Sequence, residues 1–133
     1  MAGVTVLDAS VLIAYFQPND PHHQAAIGVL RSLADDARAL HALTLAEVLV
    51  GAVRIGRGEA ARNDLRAMGI RVSPYDEGGA LRLARLRVET GLRMADCCVL
   101  DAALQEGSAV ASFDRQLVSV AGSMGIEVVP TPA

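Results

Sequence analysis

Residues 4–13 read Val-Thr-Val-Leu-Asp-Ala-Ser-Val-Leu-Ile, and this stretch constrains the fold more than any other. Residues 3–7 are rich in β-branched side chains and alternate little, which suits a strand buried on both faces of a sheet. An acid follows at once. Residues 9–16 then suit a short apolar helix, stopped before Pro18. In open α/β sheets, ligands bind outside the carboxyl ends of the strands, and Asp8 stands at such an end. The question for the rest of the chain is whether other acids reach the same edge.

The pattern continues as strands alternating with helices. Asp20-Pro21 reads as an N-cap followed by a first-turn proline, opening a helix to about residue 35 with Ala26, Val29, Leu30 and Leu33 on one face. His22 and His23 fall in its first turn and are expected to be solvated. Residues 38–42 suit a weak strand. A helix over 44–55, ended by Gly56 and Gly58, and one over 59–68, closed by Gly69, make a helical hairpin outside the sheet. A short strand at 70–74 precedes a helix over 76–90 closed by Gly91. The helix over 94–105 is apolar nearly all round and should be central. A strand at 109–113, a helix over 114–124 closed by Gly125, and a last strand at 126–129 complete the chain. This order implies a three-layer α/β/α fold around a central parallel sheet with right-handed crossovers. The 133 residues, 52% of them hydrophobic, suit one domain spanning 1–133.

Composition excludes several functions. Tyr15, Phe16, Tyr75 and Phe113 are the only Tyr, Phe or Trp residues, so a binder that stacks bases along a sheet is disfavoured. The net charge of −3 does not suit a general nucleic-acid coat. All twelve basic residues are Arg, nine of them between Arg54 and Arg93, so a local positive surface is compatible with an acidic chain. Cys97 and Cys98 are adjacent in an apolar window, lack zinc-site spacing, and read as small core residues. No secretory leader or membrane span is visible, and a cytoplasmic protein is expected.

Four acids are candidates for chemistry. Asp8 and Asp114 follow strands, Glu47 lies in the first turn of the helix after the second strand, and Asp96 opens the apolar helix among Val99, Leu100 and Ala103. Each has a purely structural explanation. The three Asp residues could cap helices or sit in first turns, and Thr44…Glu47 matches the capping-box pattern. Together they point elsewhere. Close carboxylates repel by roughly 4 kcal/mol per pair at an effective dielectric near 20, so gathering them calls for a cation or a shared proton. Oxygen donors without His or Cys suit Mg²⁺ or Mn²⁺, and such an ion on carboxylates is a device for phosphodiester hydrolysis.

The segments Val6-Leu7-Asp8-Ala9-Ser10-Val11-Leu12-Ile13, Thr44-Leu45-Ala46-Glu47-Val48-Leu49-Val50-Gly51, Arg93-Met94-Ala95-Asp96 and Ala111-Ser112-Phe113-Asp114-Arg115 resemble, in order and spacing, a PIN domain. More narrowly they resemble the VapC-type toxins of bacterial toxin–antitoxin pairs. The resemblance implies an endoribonuclease dependent on Mg²⁺ or Mn²⁺. Asp8, Glu47, Asp96 and Asp114 fall on its catalytic, metal-holding quartet, and Ser10 and Ser112 on the small hydroxyl positions beside the first and last acids. It also implies an RNA substrate, a small VapB-type antitoxin and a homodimer. Many relatives carry a further acid after the last one, where this chain has Arg115-Gln116. Arg93 and Arg115 flank the acids and are candidates to grip the RNA backbone. Asp101 lies five residues beyond Asp96, about 140° round a helix, and should point elsewhere. The alternative is a catalytically inactive PIN-like module for protein–protein interaction. Phosphoryl-transfer hydrolases of the haloacid type and response-regulator receivers fail because the chain has no Lys, and no glycine-rich phosphate loop is present.

Overall fold

The computed structural model describes residues 3–74 and 76–131. Its strands are β1 (Val4–Leu7), β2 (Ala37–Leu40), β3 (Ile70–Val72) and β4 (Ala109–Ala111). Its helices are α1 (Ala9–Phe16), α2 (His23–Ser32), α3 (Ala42–Arg54), α4 (Gly58–Ala67), α5 (Gly79–Thr90), α6 (Met94–Glu106) and α7 (Arg115–Ser123). The sheet runs β3-β2-β1-β4 with every pairing parallel. β1 is thus a central strand, and its burial on both faces explains its lack of polar alternation.

Successive residues of a strand point to opposite faces, and the two cores follow from that rule. Leu7 and Ala111 join the core under α1 and α2, which Leu40, Val48, Leu65 and Ile70 extend. Val6 and Val110 join the other core, with Leu86, Leu92, Leu100, Leu117 and Ala121. The expected three layers and parallel sheet are what the chain forms. Cys97 and Cys98 are buried in α6, as expected of small core residues. Among the described residues, no helix is long and apolar enough to cross a membrane.

The differences from expectation lie at helix starts and at the last strand. α2 begins at His23, beyond the Asp20-Pro21 pair, because Asp20 Oδ1 accepts from the backbone N–H of His22 and holds a turn ahead of the helix. α5 begins at Gly79, since Asp76 does the same with Gly78 N–H. α3 begins at Ala42, with His41 Nδ1 accepting from Leu43 N–H. Thr44 is therefore inside α3 and buried, so the Thr44…Glu47 capping box does not exist. Gly58 opens α4 and does not end α3, whereas Gly56, Gly69, Gly91 and Gly125 all adopt positive φ as closing glycines should. The strand expected at 126–129 is reduced to a Val110–Val128 bridge, with Val110 N–H donating to Glu127 O and Val129 N–H to Val110 O. The two histidines are not simply solvated: His23 Nδ1 donates to the Ala14 carbonyl, and the His22 ring stacks on Phe113.

Candidate functional site

The carboxyl ends of β1 and β4 lie side by side, since Asp8 N–H donates to Ala111 O at 3.0 Å and continues their ladder. Asp8 occupies the N-cap position of α1, yet its side chain makes no capping hydrogen bond. Its Oδ2 instead accepts from the hydroxyls of Ser10 and Ser112, both at 2.7 Å. Each hydroxyl is itself oriented. Ser10 Oγ accepts from Phe113 N–H at 3.0 Å, and Ser112 Oγ accepts from Asp114 N–H at 2.9 Å. Two backbone donors from the loop after β4 thus aim two hydroxyls at one carboxylate oxygen. Asp8 is buried, so these bonds offset much of the cost of holding a charge away from water.

Asp114 is a cap in part. Its Oδ1 accepts from Gln116 N–H and Leu117 N–H at the start of α7. Among the described residues, Oδ2 makes no hydrogen bond. Asp96 lies in the first turn of α6, buried, and its contact is a loose pair with Arg93 at 3.4 Å. Arg93 is otherwise largely in solvent, its side chain 76% exposed. Glu47 stands on the exposed side of α3, in the second turn and not the first as expected, because the helix starts at Ala42, ahead of Thr44.

Electrostatics ties the four acids to one place. The Glu47 carboxyl is held above its ordinary range, first by partial desolvation, then by repulsion from Asp8; Arg93 opposes this and Asp96 adds to it. The Arg93 guanidinium is held more firmly charged, chiefly by its hydrogen bond to Asp96, with attraction from Asp114 and Glu47. Asp8, Asp96 and Arg93 thus act on Glu47, and Asp96, Asp114 and Glu47 on Arg93. Arg115 directly follows Asp114 at the start of α7 and is exposed.

Among the described residues, no three His, Cys, Asp or Glu side chains converge closely enough to form a ready-made chelate. The donor chemistry nevertheless fits a hard divalent cation. All four candidate donors are carboxylates, and their mutual repulsion already lifts Glu47. The thiols of Cys97 and Cys98 are buried in α6, and burial pushes both up and away from the thiolate form.

Asp101 does point elsewhere. It is buried and takes a two-pronged ion pair from Arg82, Nε to Oδ1 at 2.7 Å and Nη2 to Oδ2 at 3.2 Å. This pair joins α5 to α6, and Arg82 also donates to Asp76 in the turn ahead of α5 at 2.9 Å. Sequence reasoning missed two features. One is His41 as the cap of α3. The other is the His22–Phe113 stack, with ring centroids 4.7 Å apart and planes 13° from parallel. Imidazole is not among the usual caps, and nothing in the local pattern around His22 signals a partner at Phe113.

Comparison with known proteins agrees with this architecture. The PIN domain family model matches residues 5–123. Among solved structures, a toxin–antitoxin complex from Klebsiella pneumoniae aligns with TM-score 0.76 at 21% identity, covering 95% of this chain and 96% of that one. VapBC2 from Rickettsia felis, bound to a DNA fragment from its promoter, aligns with TM-score 0.72 at 12% identity, covering 97% and 99%. FitAcB from Neisseria gonorrhoeae aligns with TM-score 0.68 at 21% identity, covering 95% and 96%. No curated protein matches. With its acids at the carboxyl edge of a parallel sheet, and with the family's pattern running through 119 of its residues, the chain belongs to the PIN domain family.

Proposed function

We propose that this chain is an endoribonuclease dependent on Mg²⁺ or Mn²⁺, acting as the VapC-type toxin of a toxin–antitoxin pair. The observation that carries the reading is the state of Asp8. It forgoes helix capping, is aimed by Ser10 and Ser112, and stands within electrostatic reach of Glu47. A residue serving only to end a strand needs none of this.

In this reading Asp8 and Asp96 hold the cation most directly, and Glu47 and Asp114 complete its oxygen set or orient water. The bound ion supplies a Lewis acid that activates water and offsets charge on the phosphate. Ser10 and Ser112 fix the Asp8 carboxylate so that little reorganisation is needed when the ion arrives. With the cation held by Asp96, Arg93, which pairs loosely with that acid here, would be free to contact the RNA backbone, as would the exposed Arg115 at the start of α7. Attack in line with the leaving oxygen gives a 5′-phosphate and a 3′-hydroxyl.

The partner in this reading is a small VapB-type antitoxin, in keeping with the toxin–antitoxin assemblies among the structural neighbours. An Arg in its tail could pair with the acids in two-pronged fashion. The α3–α4 hairpin leaves Val50, Val53 and Ile55 exposed and is the candidate contact surface. A homodimer and a cytoplasmic location belong to the same reading. A second reading, an inactive interaction module, draws on the Arg93–Asp96 pair and on the lack of a ready-made chelate among the described residues.

The deciding experiment is cleavage of total RNA by the purified chain with Mg²⁺ or Mn²⁺, against EDTA and Asp8→Asn. Cation-dependent cuts lost in the variant establish the nuclease. No cuts, together with no Mn²⁺-dependent rise in melting temperature, sink the metal site and leave the interaction module.

A further inference from the structure

We infer that His22 and Phe113 form a stacking platform that receives a base of single-stranded RNA beside the carboxylates. The inference rests on the nuclease reading and adds to it a residue that selects and positions the substrate.

Phe113 stands between Ser112, which donates to Asp8, and Asp114. Its backbone N–H is spent on Ser10 Oγ. Its ring is partly buried and packs against the core under α1 and α2, so it is held in place. His22 covers it, nearly parallel, with centroids at 4.7 Å. The His22 side chain is still 56% exposed, which leaves its outer face to solvent. The loop before α2 that carries it is fixed by Asp20 N–H to Gln17 O, by His22 N–H to Asp20 Oδ1, and by His23 Nδ1–H to Ala14 O. The platform is therefore built before any substrate arrives.

Fold stability does not account for this ring pair. His22 lies outside the helix, its side chain makes no capping hydrogen bond, and more than half of it stays exposed. Nucleic-acid chemistry does account for it. Single-stranded RNA is recognised by splaying bases onto Phe, Tyr, Trp or His rings. In a chain so poor in aromatics, the other stacked or edge-on pair among the described residues, Tyr15–Phe16, is internal to α1. Asp20 lies 3.8 Å from His22 Nδ1 and would repel phosphate, so the face of the base, not the backbone, is the group that suits this spot. The backbone is left to Arg93 and Arg115 on the other elements of the edge.

The test compares wild type, His22→Ala, His22→Gln and His22→Tyr on a labelled single-stranded RNA cut by the wild type, with melting temperature as the folding control. His22→Ala and His22→Gln should raise KM roughly 5- to 150-fold with kcat nearly unchanged, and His22→Tyr should restore it. Replacing one base flanking the cut by an abasic ribose should cost the wild type as much and His22→Ala nothing further. An unchanged KM in His22→Ala, or abasic and His22→Ala losses that simply multiply, overturns the platform and leaves the nuclease standing. If the wild type cuts no RNA, fluorescence anisotropy with a labelled random ten-nucleotide RNA and Mn²⁺ decides. Binding lost in His22→Ala and regained in His22→Tyr supports the platform alone, and no binding overturns both.

Discussion

Ser112 donates its hydroxyl to Asp8 Oδ2 at 2.7 Å, joining residues 104 positions apart at the ends of two neighbouring parallel strands. Ser112 is 1% exposed and Asp8 8%. The bond works in a chain: Asp114 N–H fixes the hydroxyl and the hydroxyl fixes the carboxylate. The first and last acids of the candidate site are thereby coupled through one oxygen atom.

Ser112→Ala breaks both links at once. Hydrogen bonds to charged groups contribute about 1.5–3 kcal/mol net, so a loss of that order is expected in urea unfolding, with an unchanged slope. Ser10→Ala should cost less, because Ser10 is only partly buried and water can take its place. Both should weaken Mn²⁺ binding in a calorimetric titration, since Asp8 would then have to be oriented by the ion itself. Equal stability of Ser112→Ala and wild type would show the bond to be incidental.

His41 makes stability depend on pH through α3. Burial holds its imidazole below the ordinary value of 6.5, against a smaller opposing pull from Asp101. Nδ1 must stay unprotonated to accept from Leu43 N–H. Between the folded and unfolded values the unfolded chain binds more protons, so stability rises with pH there. It is complete above about 6.5 and lost as the pH falls through the lowered folded value. His41→Asn keeps a capping acceptor without titrating. Its melting temperature should be less sensitive than wild type to acidification from pH 7 to pH 5.5, and parallel curves would remove His41 as the cause.

What the sequence revealed and what it hid divide along physical lines. Glycine-closed helix ends were legible because positive φ at Gly69, Gly91 and Gly125 is a local requirement. The sheet was legible because β1 and β4 are buried on both faces and lack polar alternation. Helix starts misled because Asp20 and Asp76 form side-chain turns three residues ahead of the helix, which look like caps from composition alone. The places of Asp8 and Asp114 were readable because each directly follows a strand or its short loop at the carboxyl edge of the sheet. The aim of Asp8, the Arg82–Asp101 pair and the His22–Phe113 stack were not, because each depends on a partner from a distant element.

Arg82 and Asp101 should behave as a matched pair. Arg82→Ala leaves the buried Asp101 carboxylate without its partner, which is worse than never having had a charge there. Thermal melts should rank wild type and Arg82→Met/Asp101→Leu close together, with Arg82→Ala clearly below both. RNA cleavage by the double variant should survive, since Asp101 faces α5 and not the acid cluster. Lost cleavage in a well-folded double variant would move Asp101 into the site.

Glu47 should be the acid whose charge opposes folding when no cation is present. Its folded value is raised above the ordinary 4.5, by desolvation first and then by Asp8 and Asp96. Between those two values the native state binds more protons than the unfolded chain, so stability falls as the pH rises through the window. Glu47→Gln keeps the shape and removes the charge. In EDTA at pH 7 it should melt above wild type, and its stability should change less across the window. Mn²⁺ should reverse the order. An ion at 100 times its dissociation constant stabilises the native state by about 2.7 kcal/mol; the wild type should gain on that scale, and Glu47→Gln should need more Mn²⁺ for the same rise. If the two proteins respond alike to Mn²⁺, Glu47 is not a ligand, and its repulsion with Asp8 is a feature of the edge alone.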